Sequence, residues 1–443
     1  MNRSAEAVEF YILEQMSNTL QVLQLNVGKR ETTQLSLLND DSLQDFSVLA
    51  ISEPYSWRTN DNSVVVTPVR HYNWTKITPT LLHSGRWPIR SMFWIRSDLE
   101  VLQVPVNSAD VTAVVLRLPD RSIFIASIYV PKADPLALQR ILQLLQDAIE
   151  GACRNTHGRL DILLAGDFNR HDQLWGGDDV AREQRQGEAD PIIDFIGDFS
   201  LHSLLPRGVK TWGRNGQEST IDLVFGSVGL TGTLLKCEVY GIEHGSDHRA
   251  IHTTFDIAPP ERIAVQRLLL KNAPWNTIRQ RIATDLQHTH RGLGTQVQTD
   301  QLMDIVLHAI HTFTPKAKPS PYGNRWWTSD LTNLRRVYTC QRNQARTYRR
   351  LGIVSQNIEQ RSRDAAKYYH DAIRKQKKAH WEDFLQDDVN IWQAARYLRP
   401  RDSSTFDKVP PLERTDKSIT RGKEEQAEEL LKTFFSPIDG AYR

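Results

Sequence analysis

Six short polar islands each end or follow an apolar run. They are Leu25-Asn26-Val27, Ser52-Glu53-Pro54, Ile128-Tyr129-Val130-Pro131, Gly166-Asp167-Phe168-Asn169, Thr220-Ile221-Asp222 and Gly245-Ser246-Asp247-His248. Their side chains suit phosphodiester hydrolysis. That reaction needs a cation to neutralise the phosphate, a base for the attacking water and a group to stabilise the leaving oxygen. A carboxylate with an amide forms a hard oxygen donor set, which suits Mg²⁺ better than zinc. Glu53 and Asn26 offer that pair, with Asp247 as a further acidic candidate. His248 can take a proton near neutral pH, and a carboxylate such as Asp222 would fix its tautomer. Asp167 and Asn169 suit the leaving oxygen and the phosphate. Each island also has a plain structural reading. Glu53 before a proline fits a strand end at the surface, Gly-Asp-x-Asn fits a turn, and Tyr129 in a β-run fits a core. The ordered set is what points to a cleft.

Polar residues at strand ends converge only if a rigid sheet carries them. Apolar, β-branched runs of strand length recur at Leu20–Val27, Val48–Ile51, Val64–Thr67, Ser91–Ile95, Val111–Leu116, Ile123–Val130, Ile162–Ala165, Ile221–Phe225 and Ala250–Phe255, punctuated by Gly, Pro, Asn and Asp. Pro135–Ile149 has apolar residues at helical spacing, and Pro191–Phe199 reads as a second helix. Hairpin-like pairs mixed with crossovers predict mixed sheets with helices outside. The pattern closes at Ala258-Pro259-Pro260. Beyond it strand-like runs fade, and Arg, Lys, Gln and Ala dominate from about Asp330 to Leu398. Pro315–Pro321 reads as a link between two helical sections.

The net charge of +2 conceals an asymmetry: residues 1–260 hold 23 Lys/Arg and 32 Asp/Glu, and residues 261–443 hold 32 and 21. An acidic half suits a cation and a basic half suits a polyanion. The three cysteines are far apart and make no zinc or disulfide framework, which favours a reducing compartment. No apolar run reaches the roughly 18 residues of a membrane span, and no signal peptide is evident. The expectation is an intracellular chain, with no membrane partner and no small-molecule cofactor.

The ordered islands resemble the endonuclease–exonuclease–phosphatase superfamily over about residues 18–257. The strand-Gly-Asp-Phe-Asn of Leu163–Asn169 and the late Ser246-Asp247-His248 are the most specific marks. The resemblance implies a four-layer α/β sandwich of two mixed sheets with outer helices. It implies metal-site positions at Asn26 and Glu53 with Asp247 as the second acidic position, Mg²⁺ or Mn²⁺ as cofactor, and a phosphate-contacting Tyr129. It puts Asp167 and Asn169 beside the leaving group, makes Asp222 the histidine's partner, and makes His248 the catalytic histidine. One departure is Gly28, where relatives often carry a second Asn or Asp.

Narrower marks are Ala50–Tyr55, Gly166–His171 with Leu174-Trp175-Gly176-Gly177, and Thr211-Trp212 followed by Ser219–Leu223. These are similar to the endonuclease domain of LINE-type (non-LTR) retrotransposon proteins. On that resemblance Trp175 and Trp212 help shape a DNA-facing rim; they also fit partly buried turn aromatics. Arg214, in a predicted loop beside Trp212, joins them as a candidate DNA contact. Arg325–Leu331, Asn390-Ile391-Trp392-Gln393 and Ala427–Phe434 resemble the connector to a reverse transcriptase. No Tyr-x-Asp-Asp polymerase motif occurs, so the chain is expected to be part of a longer element protein.

The expected organisation is a catalytic domain over 18–257 and a mostly α-helical basic connector over 258–443. The expected function is a metal-dependent endonuclease that nicks DNA to leave a 3′ hydroxyl primer, with a nuclear location implied by the resemblance. Repair endonucleases or phosphatases of the same fold, or a catalytically weak nucleic-acid-binding relic, are the alternatives. Residues 325–380 carry 14 Lys/Arg against 4 Asp/Glu with interleaved aromatics. That fits a grip on DNA or the element's own RNA, or a solvated helix whose aromatics pack on neighbours.

Overall fold

The computed structural model describes residues 19–386 apart from 60–62, 67–70, 72, 133, 135, 157, 179, 181–186, 215, 262–267, 288–294, 317–325 and 354; beyond these it describes 412–414, 416–420 and 423–434. The Asn390–Gln393 motif and most of the Pro315–Pro321 link lie outside the described residues.

In chain order the first part runs β1 (Leu20–Asn26), α1 (Glu31–Leu38), β2 (Val48–Ser52), β3 (Ser56–Arg58), β4 (Val64–Val66), β5 (Trp74–Ile77), β6 (Ser91–Arg96), β7 (Glu100–Val104), β8 (Val111–Arg117), β9 (Ser122–Tyr129), α2 (Ala137–Asn155) and β10 (Leu160–Asp167). It continues with α3 (Asp190–Asp198), β11 (Leu201–Ser203), β12 (Trp212–Arg214), β13 (Gln217–Ser219), β14 (Asp222–Ser227), β15 (Leu234–Val239) and β16 (Ile251–Phe255). One six-stranded sheet has the order β15-β16-β1-β2-β6-β5, and the other β11-β14-β10-β9-β8-β7. Both are mixed: β1 pairs parallel with β2 and antiparallel with β16, while β10 pairs parallel with β9 and antiparallel with β14.

Strand alternation builds the layers. Val48 and Ala50 of β2 meet Ile123 and Ile125 of β9 in the core between the sheets. The alternate residues Leu49 and Ile51 face an outer cluster with Leu37 and Leu38 of α1. On the other side Phe124, Ala126 and Ile128 meet Leu138, Ile141 and Leu145 of α2. Each of the larger of these side chains, Val, Leu, Ile or Phe, contributes roughly 1.5–3 kcal/mol on full burial. The expected sandwich of two mixed sheets with outer helices is the observed architecture.

Beyond the two-sheet domain, the helices among the described residues are α4 (Trp275–Gln287), α5 (Thr295–Phe313), α6 (Ser329–Arg350), α7 (Gln356–Gln386) and α8 (Lys423–Phe434). Contacts divide the chain into one unit of residues 1–261 with 322–443 and a second of 262–321, whereas composition alone divided it after residue 257. The second unit is the α4–α5 pair around Ile278 and Ala309. The α6–α7 hairpin instead packs within the first unit. α6 starts at Thr328, whose hydroxyl accepts from the Leu331 N–H. It ends at Gly352, where φ of +70° suits glycine. Trp327, Leu331, Tyr338, Tyr369 and Ile373 form the hairpin's core.

Candidate active site

The site continues the inward-facing rows of the sandwich. In β1 the even residues Leu20 and Val22 face the inter-sheet core, so Gln24 and Asn26 fall on the same face at the strand's end. Tyr129 extends the row of Ile123 and Ile125, and Asp167 extends that of Leu163 and Ala165. Asp222 precedes Val224 on β14 in the same way. Ser52 Oγ donates across to the Ile128 carbonyl at 2.9 Å, and Ser127 Oγ donates to the Ile51 carbonyl at 3.1 Å. The two sheets are thus tied together where their apolar rows turn polar.

His248 Nδ1 lies 2.8 Å from Asp222 Oδ2, and His248 Nε2 lies 4.0 Å from Asp167 Oδ2. Gln24 Nε2 donates to the other Asp222 oxygen at 3.1 Å, and the Thr211 hydroxyl accepts the Asp222 N–H at 3.0 Å. Asp167 accepts from Asn26 Nδ2 at 2.9 Å, from the Asn169 N–H at 3.0 Å and from Asn169 Nδ2 at 3.1 Å. Asn26 Nδ2 is also 3.4 Å from Glu53 Oε2, and Lys29 Nζ is 2.5 Å from Glu53 Oε1. Ser246 Oγ donates to the Asn26 carbonyl at 2.6 Å and accepts the His248 N–H at 3.1 Å. That joins the end of β1 to the loop before β16.

Lys29, Glu53 and Asn169 have φ of +57°, +47° and +49°. Asn tolerates this region, but Lys and Glu enter it rarely. Backbone bonds enforce the bend: the Lys29 N–H donates to the Glu53 carbonyl at 2.8 Å, and the Glu53 N–H donates to the Arg90 carbonyl at 2.8 Å. Such outliers collect where function demands a particular side-chain direction.

Burial disfavours a charged ring at His248, yet Asp222, Asp167 and Asp247 outweigh it and hold the imidazole above its ordinary value. Burial, then the neighbouring Asp222, pushes the Asp167 carboxyl up as well, with His248 opposing. Burial and then Glu53 raise the Tyr129 phenol, which stays a neutral donor. The Arg90 guanidinium sits over the Tyr129 ring, 5.8 Å from its centroid.

The structure thus brings together Asn26, Glu53, Tyr129, Asp167, Asn169, Asp222 and His248. Asp167, Asp222 and His248 are the only close trio of metal-capable acidic, His or Cys groups among the described residues. Its histidine, however, is engaged by Asp222 in the manner of a base with its orienting carboxylate. Glu53 offers the hard carboxylate donor that a cation needs, in a place where the Lys29 ammonium now balances its charge. Asn26 turns its NH2 to Glu53 and Asp167 and its Oδ1 to the Gly28 N–H at 2.8 Å, so the amide would have to turn for its oxygen to ligate. Asp247 stands apart from that trio, its Oδ1 3.9 Å from Arg30 and its carbonyl accepting the Gly213 N–H at 2.9 Å. Gly28 has φ of +60°, and a Cβ there would lie 3.7 Å from Asp247 Oδ1, so this departure sits on the Asp247 side of the site.

Of the expected rim, Trp212 is half-buried and Arg214 exposed on the β12–β13 hairpin, which bridges to His248. Trp175 is a correction. It is 1% exposed, stands edge-on to Phe225 at 6.3 Å, and donates its indole N–H to the Arg170 carbonyl at 3.2 Å. A ring so enclosed cannot face DNA. The sequence reading missed Gln24, Lys29 and Thr211. Gln24 was detectable, because a polar residue two before Asn26 in an apolar strand shares its face.

Part of the chain is similar to known proteins. Residues 123–252 match the model of a family described as endonuclease-reverse transcriptase, less than a third of the chain. The matched residues lie within the two-sheet domain. Similar solved structures include the endonuclease domain of TRAS1, a telomere-specific non-LTR retrotransposon, at 19% identity and a TM-score of 0.43, covering 53% of this chain and 98% of that one. The AP endonuclease LMAP from Leishmania major is similar at 12% identity and 0.43, covering 54% and 88%. The Xenopus laevis APE2 catalytic domain is similar at 15% and 0.41, covering 55% and 94%. No curated protein matches the chain.

Proposed function

We propose that the two-sheet domain is a divalent-metal-dependent DNA endonuclease of the retrotransposon type. The observation that carries the reading is the His248–Asp222 pair at 2.8 Å, with Asp167 alongside, Asn26 bonded to both Asp167 and Glu53, and Tyr129 beside Glu53. Water attacks phosphorus, the bond to the 3′ oxygen breaks, and the products are a 3′ hydroxyl and a 5′ phosphate. His248 Nε2 takes the water's proton, and Asp222 holds Nδ1–H and stabilises the imidazolium. Tyr129 donates to a phosphate oxygen; Asn169, whose Nδ2 bonds Asp167 and the Val130 carbonyl, holds Asp167 in place, and Asp167, with its raised pKa, returns a proton to the leaving oxygen. Glu53 and Asn26, the latter with its amide turned, would hold Mg²⁺ or Mn²⁺, which would neutralise phosphate charge and would favour the uncharged His248 ring.

The test is conversion of supercoiled plasmid to open circles in Mg²⁺, followed by polymerase extension of the untreated nick. Extendable nicks are expected, with none in EDTA. Glu53→Gln should need far more Mg²⁺ or fail outright. Nicking that persists in EDTA, or nicks that cannot be extended, would overturn the proposal. The missing side chain at Gly28 favours a second reading, a catalytically weak nucleic-acid-binding relic. That reading predicts plasmid binding without conversion.

A further inference from the structure

The loop between β15 and β16 carries Ser246, Asp247 and His248, yet from Gly241 to Ser246 it has no regular hydrogen-bond ladder of its own. A buried loop must find partners for its backbone groups elsewhere. Here many of them come from α6, about 100 residues further along the chain. The Asn343 amide donates to the Gly241 carbonyl at 3.3 Å, and the Thr339 hydroxyl accepts the Glu243 N–H at 3.2 Å. One Arg342 nitrogen donates to the Ser246 carbonyl at 2.5 Å while another lies 3.4 Å from the Glu243 carboxylate. Arg346 pairs with the same carboxylate. Glu243, at 4% exposed, has these two guanidinium groups as its counter-charge. From α7, the Tyr369 hydroxyl is 2.6 Å from Ser36 Oγ, which in turn meets His244 Nδ1 at 3.1 Å. A Cβ at Gly245, where φ is +95°, would run into the His370 ring.

We infer that the α6–α7 hairpin is a structural part of the nuclease, with Arg342 and Arg346 as positioning residues that hold the Ser246–His248 loop in register with Asn26. What the loop does rests on the nuclease reading; how it is held does not. The carbonyl that Arg342 grips belongs to Ser246, whose own hydroxyl links Asn26 to the His248 N–H. Loss of that grip frees the loop at the point where it meets β1. A displacement near 1 Å at a reacting group costs up to about 10²-fold in rate.

The experiment uses the full chain with Arg342→Ala and Arg346→Ala together. Amide hydrogen exchange over residues 241–248 should rise at least about ten-fold while the core of β1 and β16 keeps wild-type protection. Plasmid nicking at saturating substrate should fall at least about ten-fold with KM little changed. Arg342→Lys with Arg346→Lys, which keeps cations beside Glu243, should restore part of both. If the alanine pair fails to fold, Thr339→Val with Asn343→Leu loosens the same loop without stranding a buried charge, and the same expectations apply. Loop exchange equal to wild type, or raised equally across the sheets, overturns the inference, as does a loosened loop with undiminished nicking. Should the wild-type chain not nick at all, the proposed function fails, and the exchange pattern alone decides how the loop is held.

Discussion

At the scale of residues, two tryptophans with the same expected role part company. Trp175 is enclosed by Phe225 and the Arg170 carbonyl, so its worth is packing. Trp175→Ala should lower stability by about 3–5 kcal/mol in urea unfolding and leave the positions of nicks unchanged. Trp212 and Arg214 lie on a hairpin bonded to the Ser246–His248 loop through Trp212–His248 and Gly213–Asp247. Trp212→Ala with Arg214→Ala should redistribute nick positions, read by sequencing of nicked ends, more than it lowers total turnover, because loops on a rigid scaffold set substrate choice. An identical nick map would make this hairpin structural too. Turn composition alone gave the two rings the same appearance, and only the third dimension separates an indole packed under a large sheet from one on a separate two-stranded hairpin.

At the scale of elements, alternation made the inner strands legible. Leu20–Asn26, Val48–Ser52 and Ser91–Arg96 follow the apolar runs to within a residue, because both faces of these strands are covered. The short or edge strands Trp74–Ile77, Glu100–Val104 and Leu234–Val239 escaped, since mixed polar residues at an edge carry a weak period. Helix α1 escaped for the opposite reason. Thr33 through Leu38 are all buried, with the sheet on one side and α7 on the other, so no polar face marks its period. The site residues were legible as strand ends, but Lys29 against Glu53 was not, because that contact needs two strands side by side. The docking of α6 was also hidden. It turns on Arg335, whose guanidinium is 3.0 Å from Asp40 and 3.2 Å from Asp41 and donates to the Asn39 carbonyl at 3.3 Å. Burial pushes the Asp40 carboxyl up and Arg335 opposes it. Removing one partner of so buried a pair costs about 3–5 kcal/mol. Arg335→Ala should therefore lower the unfolding free energy of the first unit by that amount in chemical denaturation. A loss below about 1 kcal/mol, the range of exposed pairs, would show the docking to be loose.

At the scale of the whole molecule, the opposed charges of the two halves acquire a partly internal explanation. Arg335, Arg342, Arg346 and Arg349 of α6 meet Asp40, Asp41, Glu243 and Glu218 of the two-sheet domain. Trp327, Tyr338 and Tyr369 pack in the hairpin core, while Tyr368 and Trp381 remain exposed. Of the basic residues expected to meet DNA or RNA, Lys367, Lys375 and Lys378 of α7 remain exposed. No described helix is long and apolar enough to cross a membrane. In the proposed function His248, oriented by Asp222, draws the proton from water in a phosphodiester cleavage. The most direct measurement is the first-order rate of plasmid nicking at saturating Mg²⁺ for the wild-type chain, His248→Ala, and His248→Gln, an uncharged amide variant that lacks the imidazole base. Both variants should nick at least about 10²-fold more slowly while retaining the wild-type circular dichroism spectrum. Nicking at the wild-type rate by either folded variant would contradict the account.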